Sequence, residues 1–233
     1  APLIAPRADG VTLPTPLCDD AKVLAAVAGA GLPMVQIAPG SPAQGADAVG
    51  IDEYRAAFDM TLHLVGKGHR RIGFITGNPD QTCNALRLAG YEAALAEAGI
   101  APDARLIAGG DYSYRSGLAA AEQLLGREDR PTALFASNDD MAAATVATAN
   151  RMGLDVPGDL SVCGFDDTAI ATMIWPQLST VRQPIGAIAS HATLLLIDAI
   201  RCKQEDQPRA VQHMILPYEI VERDSVKPLP GQG

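Results

Sequence analysis

The segment PTALFASNDDMA, residues 131–142, combines a strand, a polar turn and the start of a helix. Its ALFA run is short and wholly apolar, which is typical of a parallel strand covered on both faces. Asn138 follows where a helix N-cap is needed, and the helical pattern after it stops at Gly153. The segment therefore predicts a strand–turn–helix unit with polar side chains at the carboxyl end of the strand.

The same unit recurs along the chain. Six further apolar or β-branched runs alternate with helix-period segments: GVTL (10–13), MVQI (34–37), AVGI (48–51), RIGFI (71–75), LIAG (106–109) and LSVC (160–163). Parallel strands joined by helical crossovers form open sheets with helices on both faces. The fold class predicted is therefore α/β, with doubly wound parallel sheets.

The ends of several elements are also predicted. Asp19 and Asp52 are the expected N-caps of helices that stop at Gly31 and Gly68. An amphipathic helix is expected over residues 184–201, followed by one late strand over residues 214–224. From Lys227 onward the Pro/Gly-rich tail, residues 227–233, is expected to be disordered.

Composition excludes several classes of function. The formal net charge is −9 and the pI is near 4.8, and the basic cluster around Arg70 and Arg71 stands at a helix-to-strand turn, so these residues are not expected to bind DNA. Every apolar run is too short or interrupted to span a bilayer. The four cysteines and four histidines are too scattered to predict a metal site, and the cysteines are expected to be free thiols in a reducing cytosol.

The predicted strands place polar residues at their carboxyl ends, where ligands gather in open parallel sheets. These residues are Asp52 and Glu53, Gly77 and Asn78, Ser137 to Asp140, and Asp166 and Asp167. The sequence contains neither of the glycine-rich phosphate loops nor a nucleophile-elbow motif. Binding of a small polar ligand, with no cofactor, is therefore favoured over catalysis.

Six segments in series carry a family resemblance that runs from about Ala8 to Asp224. They are RADGVTLPTP, HLVGKGHRRIGFITG, ALRLAGYEAALAEAG, PTALFASNDDMA, VPGDLSVCGFDDT and WPQLSTVRQP. In this order and spacing the chain resembles the effector-binding domain of LacI/GalR transcriptional regulators. The chain opens at what resembles the third strand of that domain, so the helix-turn-helix head and the start of the N-terminal lobe are not represented.

The resemblance implies two lobes like those of periplasmic sugar-binding proteins, with the effector in the cleft between them. The implied N-terminal lobe comprises residues 1–80 and 184–212, and the C-terminal lobe comprises residues 81–183 and 213–226. The crossings between lobes are expected near residues 78–82, 182–184 and 212–214.

The resemblance also implies the ligand contacts. Arg87 matches the arginine that holds the ligand, and Asp166 matches the aspartate that accepts hydrogen bonds from its hydroxyls. The remaining implied contacts are Asn138, Tyr112 as an aromatic wall, Gln183 and Asp52. Simpler interpretations stay open: an exposed helix salt bridge for Arg87, capping alone for Asn138 and core packing for Tyr112. Asp167 is expected to hold the turn, and Trp175 to stabilise the turn before the crossing strand, although it could also reach the cleft.

The function implied is the sensing domain of a cytoplasmic LacI-type repressor. Its effector is expected to be a sugar or related polyol, and less favourably a purine. The full-length protein is expected to be a homodimer that contacts operator DNA only through the absent head. Two alternatives remain at this point: a periplasmic sugar-binding protein of a transporter, and a sugar-processing enzyme using Asp166 and Asp140.

Overall fold

A computed structural model describes residues 8–229, which contain ten strands and seven α-helices. The strands are β1 (Val11–Leu13), β2 (Met34–Ile37), β3 (Asp47–Gly50), β4 (Ile72–Ile75), β5 (Ile107–Ala108), β6 (Ala133–Ala136), β7 (Ser161–Asp166), β8 (Ser179–Arg182), β9 (His213–Ile215) and β10 (Glu219–Val221). The helices are α1 (Ala21–Gly29), α2 (Glu53–Gly66), α3 (Thr82–Glu97), α4 (Tyr114–Leu125), α5 (Asp139–Arg151), α6 (Ile170–Met173) and α7 (Ile185–Gln204). All the short runs predicted as strands contain strands, and the predicted α/β fold class is confirmed.

The described chain divides into two compact units. The first contains residues up to Asp52, then Asp80–Cys83 and Pro184–Pro217, and the second contains the remainder. The first unit has a four-stranded parallel sheet in the order β1-β2-β3-β9. Helix α1 buries Val23 and Val27 against Leu13 and Cys18, whereas α7 buries Ile188, Ala192 and Leu195 and packs on β2 and β3.

The second unit has a six-stranded sheet in the order β10-β8-β7-β6-β4-β5, parallel except for the pairing of β10 with β8. The central strands are wholly buried, as expected for strands covered on both faces. On one face, the Phe74 ring stacks on Tyr91 and meets Phe135 edge-on, at centroid separations of 4.8 and 5.3 Å. On the other, α4 packs closely on α5 because Gly117 leaves room beside the Met141 backbone.

The first change of unit comes earlier than the predicted boundary between lobes at residue 80. Helix α2 and strand β4, which were expected in the N-terminal lobe, belong to the second unit, so the chain changes unit after Asp52. Strand β4 pairs with β5 and β6. Helix α2 packs closely on α3, since a Cβ added at Gly90 of α3 would lie 2.2 Å from the Tyr54 carbonyl oxygen of α2. The predicted crossing near residues 182–184 agrees with the observed change of unit after Gln183.

The end of the chain differs from expectation in two ways. The single late strand is two strands in different sheets: β9 pairs with β3 and β10 pairs with β8. The change of unit therefore comes after Pro217, not near residues 212–214. The chain also remains packed past Lys227, because the Lys227 amide donates to Ser161 and the Leu229 amide donates to the Lys67 carbonyl. The rest of the predicted disordered tail, residues 230–233, lies outside the described residues.

Three local predictions also need correction. Asp20, not Asp19, caps α1, and its carboxylate accepts from the amides of Lys22 and Val23. The Trp175 side chain is 78% exposed, so its ring does not pack into a core as a structural tryptophan would. Helix α7 is long and apolar enough to cross a membrane, contrary to the expectation from run lengths. Three of its residues, Ile188, Ala192 and Leu195, are buried, and the helix packs on the first sheet.

Candidate functional site

Polar side chains converge at the carboxyl end of the six-stranded sheet. Strands β4, β6 and β7 are parallel neighbours, so the residues that follow them emerge at the same edge. Gly77 follows β4, Asn138 follows β6, and Asp166 is the last residue of β7. Helix α3 brings Arg87 to this edge from the side.

The Arg87 guanidinium is buried and held from several directions. Its Nε donates to Glu53 Oε2 at 2.7 Å, and its Nη1 donates to the Ser137 carbonyl oxygen. The Phe165 ring lies beneath it, with 3.6 Å between the ring centroid and Cζ. Only 6% of the Arg87 side chain and 4% of the Glu53 side chain are exposed. Arg87 is therefore not an exposed helix residue, and the planar fork of its guanidinium has a preset orientation.

Asp166 lies beside this arginine. Its Oδ1 is 3.7 Å from Arg87 Nη2 and accepts a 2.7 Å hydrogen bond from Gln183 Nε2. Its backbone φ is 106°, and that of Asp167 is 55°, so two consecutive residues with side chains occupy the left-handed region. Such strain costs roughly 1 to 3 kcal/mol per residue and tends to collect at binding and catalytic sites.

Asp167 holds the turn, as predicted. Its two carboxylate oxygens accept hydrogen bonds of 2.6 Å from Arg182 Nε and Arg223 Nη2. Burial alone would raise the pKa of Asp167, but the hydrogen bonds and charges of the two arginines outweigh it and lower the pKa. The carboxylate therefore ties the loop after β7 to β8 and to the segment after β10.

Asn138 and Tyr112 form a second pair. Asn138 Oδ1 accepts from the Met141 amide and caps α5, while its Nδ2 donates to the Tyr112 carbonyl at 2.8 Å. Capping is thus only part of what Asn138 does. Tyr112 has a φ of 72°, and its ring lies directly over Gly77, where an added Cβ would be 2.0 Å from Cζ. The ring packs partly on the core and has its centroid 5.9 Å from Arg87 Cζ.

A buried carboxylate lies behind these groups. Asp139, the first residue of α5, has no exposed surface and accepts hydrogen bonds from the Thr168 amide at 2.7 Å and the Thr180 hydroxyl at 2.6 Å. Burial raises its pKa to about 6, although these hydrogen bonds and those of the Thr168 side chain oppose the shift. Asp139 belongs to the polar residues predicted after β6, but the sequence predicts no role for it.

The structure brings together all the predicted site residues of the second unit: Arg87, Asp166, Asn138, Tyr112 and Gln183. Asp52 differs, because it belongs to the first unit and is exposed, whereas the next residue, Glu53, is buried against Arg87. Glu53 was therefore missed as a site residue. Its position at a predicted strand end was a signal, but the sequence does not show which of two adjacent carboxylates points inward.

Among residues 8–229, no group of three or more His, Cys, Asp or Glu side chains is arranged to hold a metal ion. The four cysteines are free, and Cys18, Cys83 and Cys163 are buried.

Comparison with known proteins identifies the fold as that of a periplasmic binding protein-like domain, a family that matches residues 61–226. Catabolite control protein A of Priestia megaterium is 39% identical over 180 residues, which are 77% of this chain and 53% of that protein. A solved LacI family transcriptional regulator from Mycobacterium smegmatis is 31% identical, with a TM-score of 0.82 over 95% of this chain and 80% of that one. The transcriptional regulator CelR, solved as a cellobiose complex, is 32% identical, with a TM-score of 0.83 over 93% of this chain and 65% of that one.

The chain belongs to the family of periplasmic binding protein-like domains, in the branch found in LacI-type regulators. It spans about half the length of catabolite control protein A.

Proposed function

We propose that this chain is the effector-sensing domain of a LacI-type transcriptional repressor, and that it binds a sugar at the carboxyl end of the six-stranded sheet. Arg87 and Asp166 are the principal ligand contacts, with Asn138, Tyr112 and Gln183 around them. The observation that carries the proposal is the buried Arg87 guanidinium, oriented by Glu53 and Phe165 and placed 3.7 Å from the Asp166 carboxylate.

This arrangement suits a polyhydroxyl ligand. An arginine fork donates two parallel hydrogen bonds, and a carboxylate accepts from hydroxyl groups, so adjacent ligand oxygens can meet both partners. Little side-chain freedom remains to be lost on binding, because Arg87 is already held by protein groups. An aromatic ring such as that of Tyr112 can cover the apolar face of a pyranose or a base.

Relatives support the choice of a sugar. CelR is described as a complex with cellobiose, and it shares the fold with this chain at 32% identity. The same donors and acceptors also suit a purine, which is the second choice. Repression of transcription, operator binding through another domain, homodimerisation and a cytoplasmic location are parts of the same proposal, since the relatives are regulators longer than this chain.

The proposal is tested by thermal unfolding with a panel of mono- and disaccharides that includes cellobiose, and with purine bases as a separate arm. A ligand present at about 100 times its dissociation constant adds roughly 2.7 kcal/mol of stability. For a chain of this length, this corresponds to a rise in Tm of roughly 5 to 11 °C. A shift with a purine and none with sugars would move the assignment to a purine effector.

The enzyme alternative is tested in the same samples. Each sugar that raises the Tm is incubated with the protein and assayed for release of reducing ends. Turnover above a protein-free blank would contradict a purely sensing role. No Tm shift with any member of either arm would contradict the proposed ligand class.

A further inference from the structure

We propose that Asp139 is a positioning residue of this site: its buried carboxylate holds Thr168, the residue after the left-handed turn, and thereby keeps Asp166 facing Arg87. The inference rests on the proposed function, because it concerns how one of the proposed ligand contacts is placed. Asp139 itself is not proposed to touch the ligand.

The contacts of Asp139 span both ends of the loop between β7 and β8. Its Oδ2 accepts from the Thr168 amide at 2.7 Å and from the Thr168 hydroxyl at 3.2 Å. Its Oδ1 accepts from the Thr180 hydroxyl at 2.6 Å. A single carboxylate at the start of α5 therefore ties the beginning of this loop to the strand that ends it.

The turn at Asp166 and Asp167 is strained and must be held in place by neighbouring groups. Asp166 and Asp167 both have positive φ, a conformation that residues with a Cβ adopt only when the surroundings enforce it. Arg182 and Arg223 hold the turn through the Asp167 carboxylate. Asp139 holds it from the buried side, at the next residue along the chain.

Asp139 packs so closely against β7 that there is no room for a side chain at Gly164. An added Cβ at Gly164 of β7 would lie 2.4 Å from Asp139 Oδ1 and 3.2 Å from Asp139 Cα. The absence of a side chain at Gly164 lets the carboxylate lie against the strand that ends in Asp166. A larger residue there would displace either the strand or the carboxylate.

A buried carboxylate held by neutral donors is costly to ionise. The Asp139 pKa is raised to about 6 by burial, and the titratable groups that face it, Asp166 and Cys163 of β7, add no positive charge. From β8 it meets the Thr180 hydroxyl. The hydrogen bonds from Thr168 and Thr180 therefore offset part of the cost of burying this carboxylate.

The test compares Asp139→Ala with Asp139→Asn in the ligand-free protein. Asparagine keeps an oxygen for the Thr168 amide and offers an NH2 group to the Thr180 hydroxyl. Asp139→Asn is therefore the conservative control, in which both contacts are expected to remain. Amide hydrogen exchange of Thr168 is measured by NMR, together with the side-chain amide signals of Gln183, which report its bond to Asp166. The alanine variant is expected to exchange at Thr168 about ten to a hundred times faster and to shift the Gln183 signals. The asparagine variant is expected to stay near wild type.

Unchanged exchange at Thr168 and unchanged Gln183 signals in the alanine variant would overturn the proposal. If that variant does not fold, Asp139→Ser is measured in its place, because the serine hydroxyl is polar but too short to bond both Thr168 and Thr180. The Thr168 amide is again expected to exchange faster than in the asparagine variant. The Met141 amide, which is bonded to Asn138, is the control and stays protected. Thr168 protection equal to that of the asparagine variant would equally overturn the proposal.

These measurements need no ligand, so they separate the two proposals. Loss of Thr168 protection without any sugar or purine binding would leave the positioning role standing and remove the ligand assignment. Ligand binding of wild-type strength in a folded Asp139→Ala variant would leave the ligand assignment standing and remove the positioning role.

Discussion

Arg87 and Glu53 form a buried ion pair, with 2.7 Å between Nε and Oε2 and less than a tenth of either side chain exposed. The pair joins the first residue of α2 to the middle of α3. Burying two charges costs several kcal/mol of desolvation each, so removing one partner leaves an uncompensated charge. The arrangement orients Arg87, and it makes the site sensitive to single substitutions.

Arg87→Ala is expected to lower the free energy of unfolding by roughly 3 to 5 kcal/mol, because Glu53 is left buried without this partner. Denaturant unfolding followed by circular dichroism measures the change. The matched control is the double variant Glu53→Gln/Arg87→Met, which removes both charges and is expected to recover part of the loss. If the unfolding free energy of Arg87→Ala were within about 1 kcal/mol of that of wild type, the Arg87–Glu53 ion pair would not be a buried pair on which stability depends.

Asp166→Asn is expected to weaken binding of the sugar found in the thermal screen by roughly ten- to a hundredfold, because hydrogen bonds to charged groups contribute about 1.5 to 3 kcal/mol. Isothermal titration calorimetry measures the affinity. Glu122→Gln is the control, since Glu122 is an exposed carboxylate on α4 that pairs with Arg151. Equal affinities for wild type and Asp166→Asn would remove Asp166 from the ligand contacts.

Gly77→Ala is expected to displace the Tyr112 ring, because the new methyl group would lie 2.0 Å from Cζ. We expect the affinity for the same sugar to fall by about tenfold, the order of one aromatic contact. Gly109→Ala is the matched control, since no atom lies within 4 Å of a Cβ added there. Equal sugar affinities for Gly77→Ala and Gly109→Ala would contradict a ligand contact by the Tyr112 ring.

Asp139 is expected to make stability decrease as pH rises. Its folded-state pKa is raised to about 6 from an ordinary value of 3.8, so between these values the folded protein binds more protons than the unfolded chain. The unfolding free energy attributable to this group therefore falls as pH increases from about 4 to 6, by up to roughly 3 kcal/mol. Asp139→Asn removes this titration.

Urea unfolding of wild type and Asp139→Asn at pH 4 and pH 8 measures the effect. The stability of the variant relative to wild type is expected to be greater at pH 8 than at pH 4. A difference between the two proteins that does not change with pH would show that the carboxylate is not destabilised by burial.

Much of the site could be predicted because its residues follow strands directly. Asn138 and Asp166 stand at the ends of apolar runs whose parallel pairing brings them to the same edge. Arg87 and Gln183 came from the resemblance, since neither follows such a run. Glu53 was not singled out beside Asp52, because consecutive residues at a helix start point in different directions and the pattern does not show which of the two is buried.

Other features depended on partners far away in the chain. The tyrosine ring over Gly77, the carboxylate of Asp139 against Gly164 and the split of the late strand each require knowledge of which elements are neighbours. The switch of unit after Asp52 has the same cause, since β4 pairs only with strands of the second sheet.

The sequence by itself determined the strand–turn–helix units, the cap at Asn138 and the polar residues at strand ends, because these depend on periodicity and on neighbours within a few residues. Only the tertiary structure decided that Glu53 pairs with Arg87, 34 residues away, and that Asp139 supports Thr168, 29 residues away. Burial removes water as a competing partner, so the free energy of each buried polar group depends on which side chain or amide the fold places beside it.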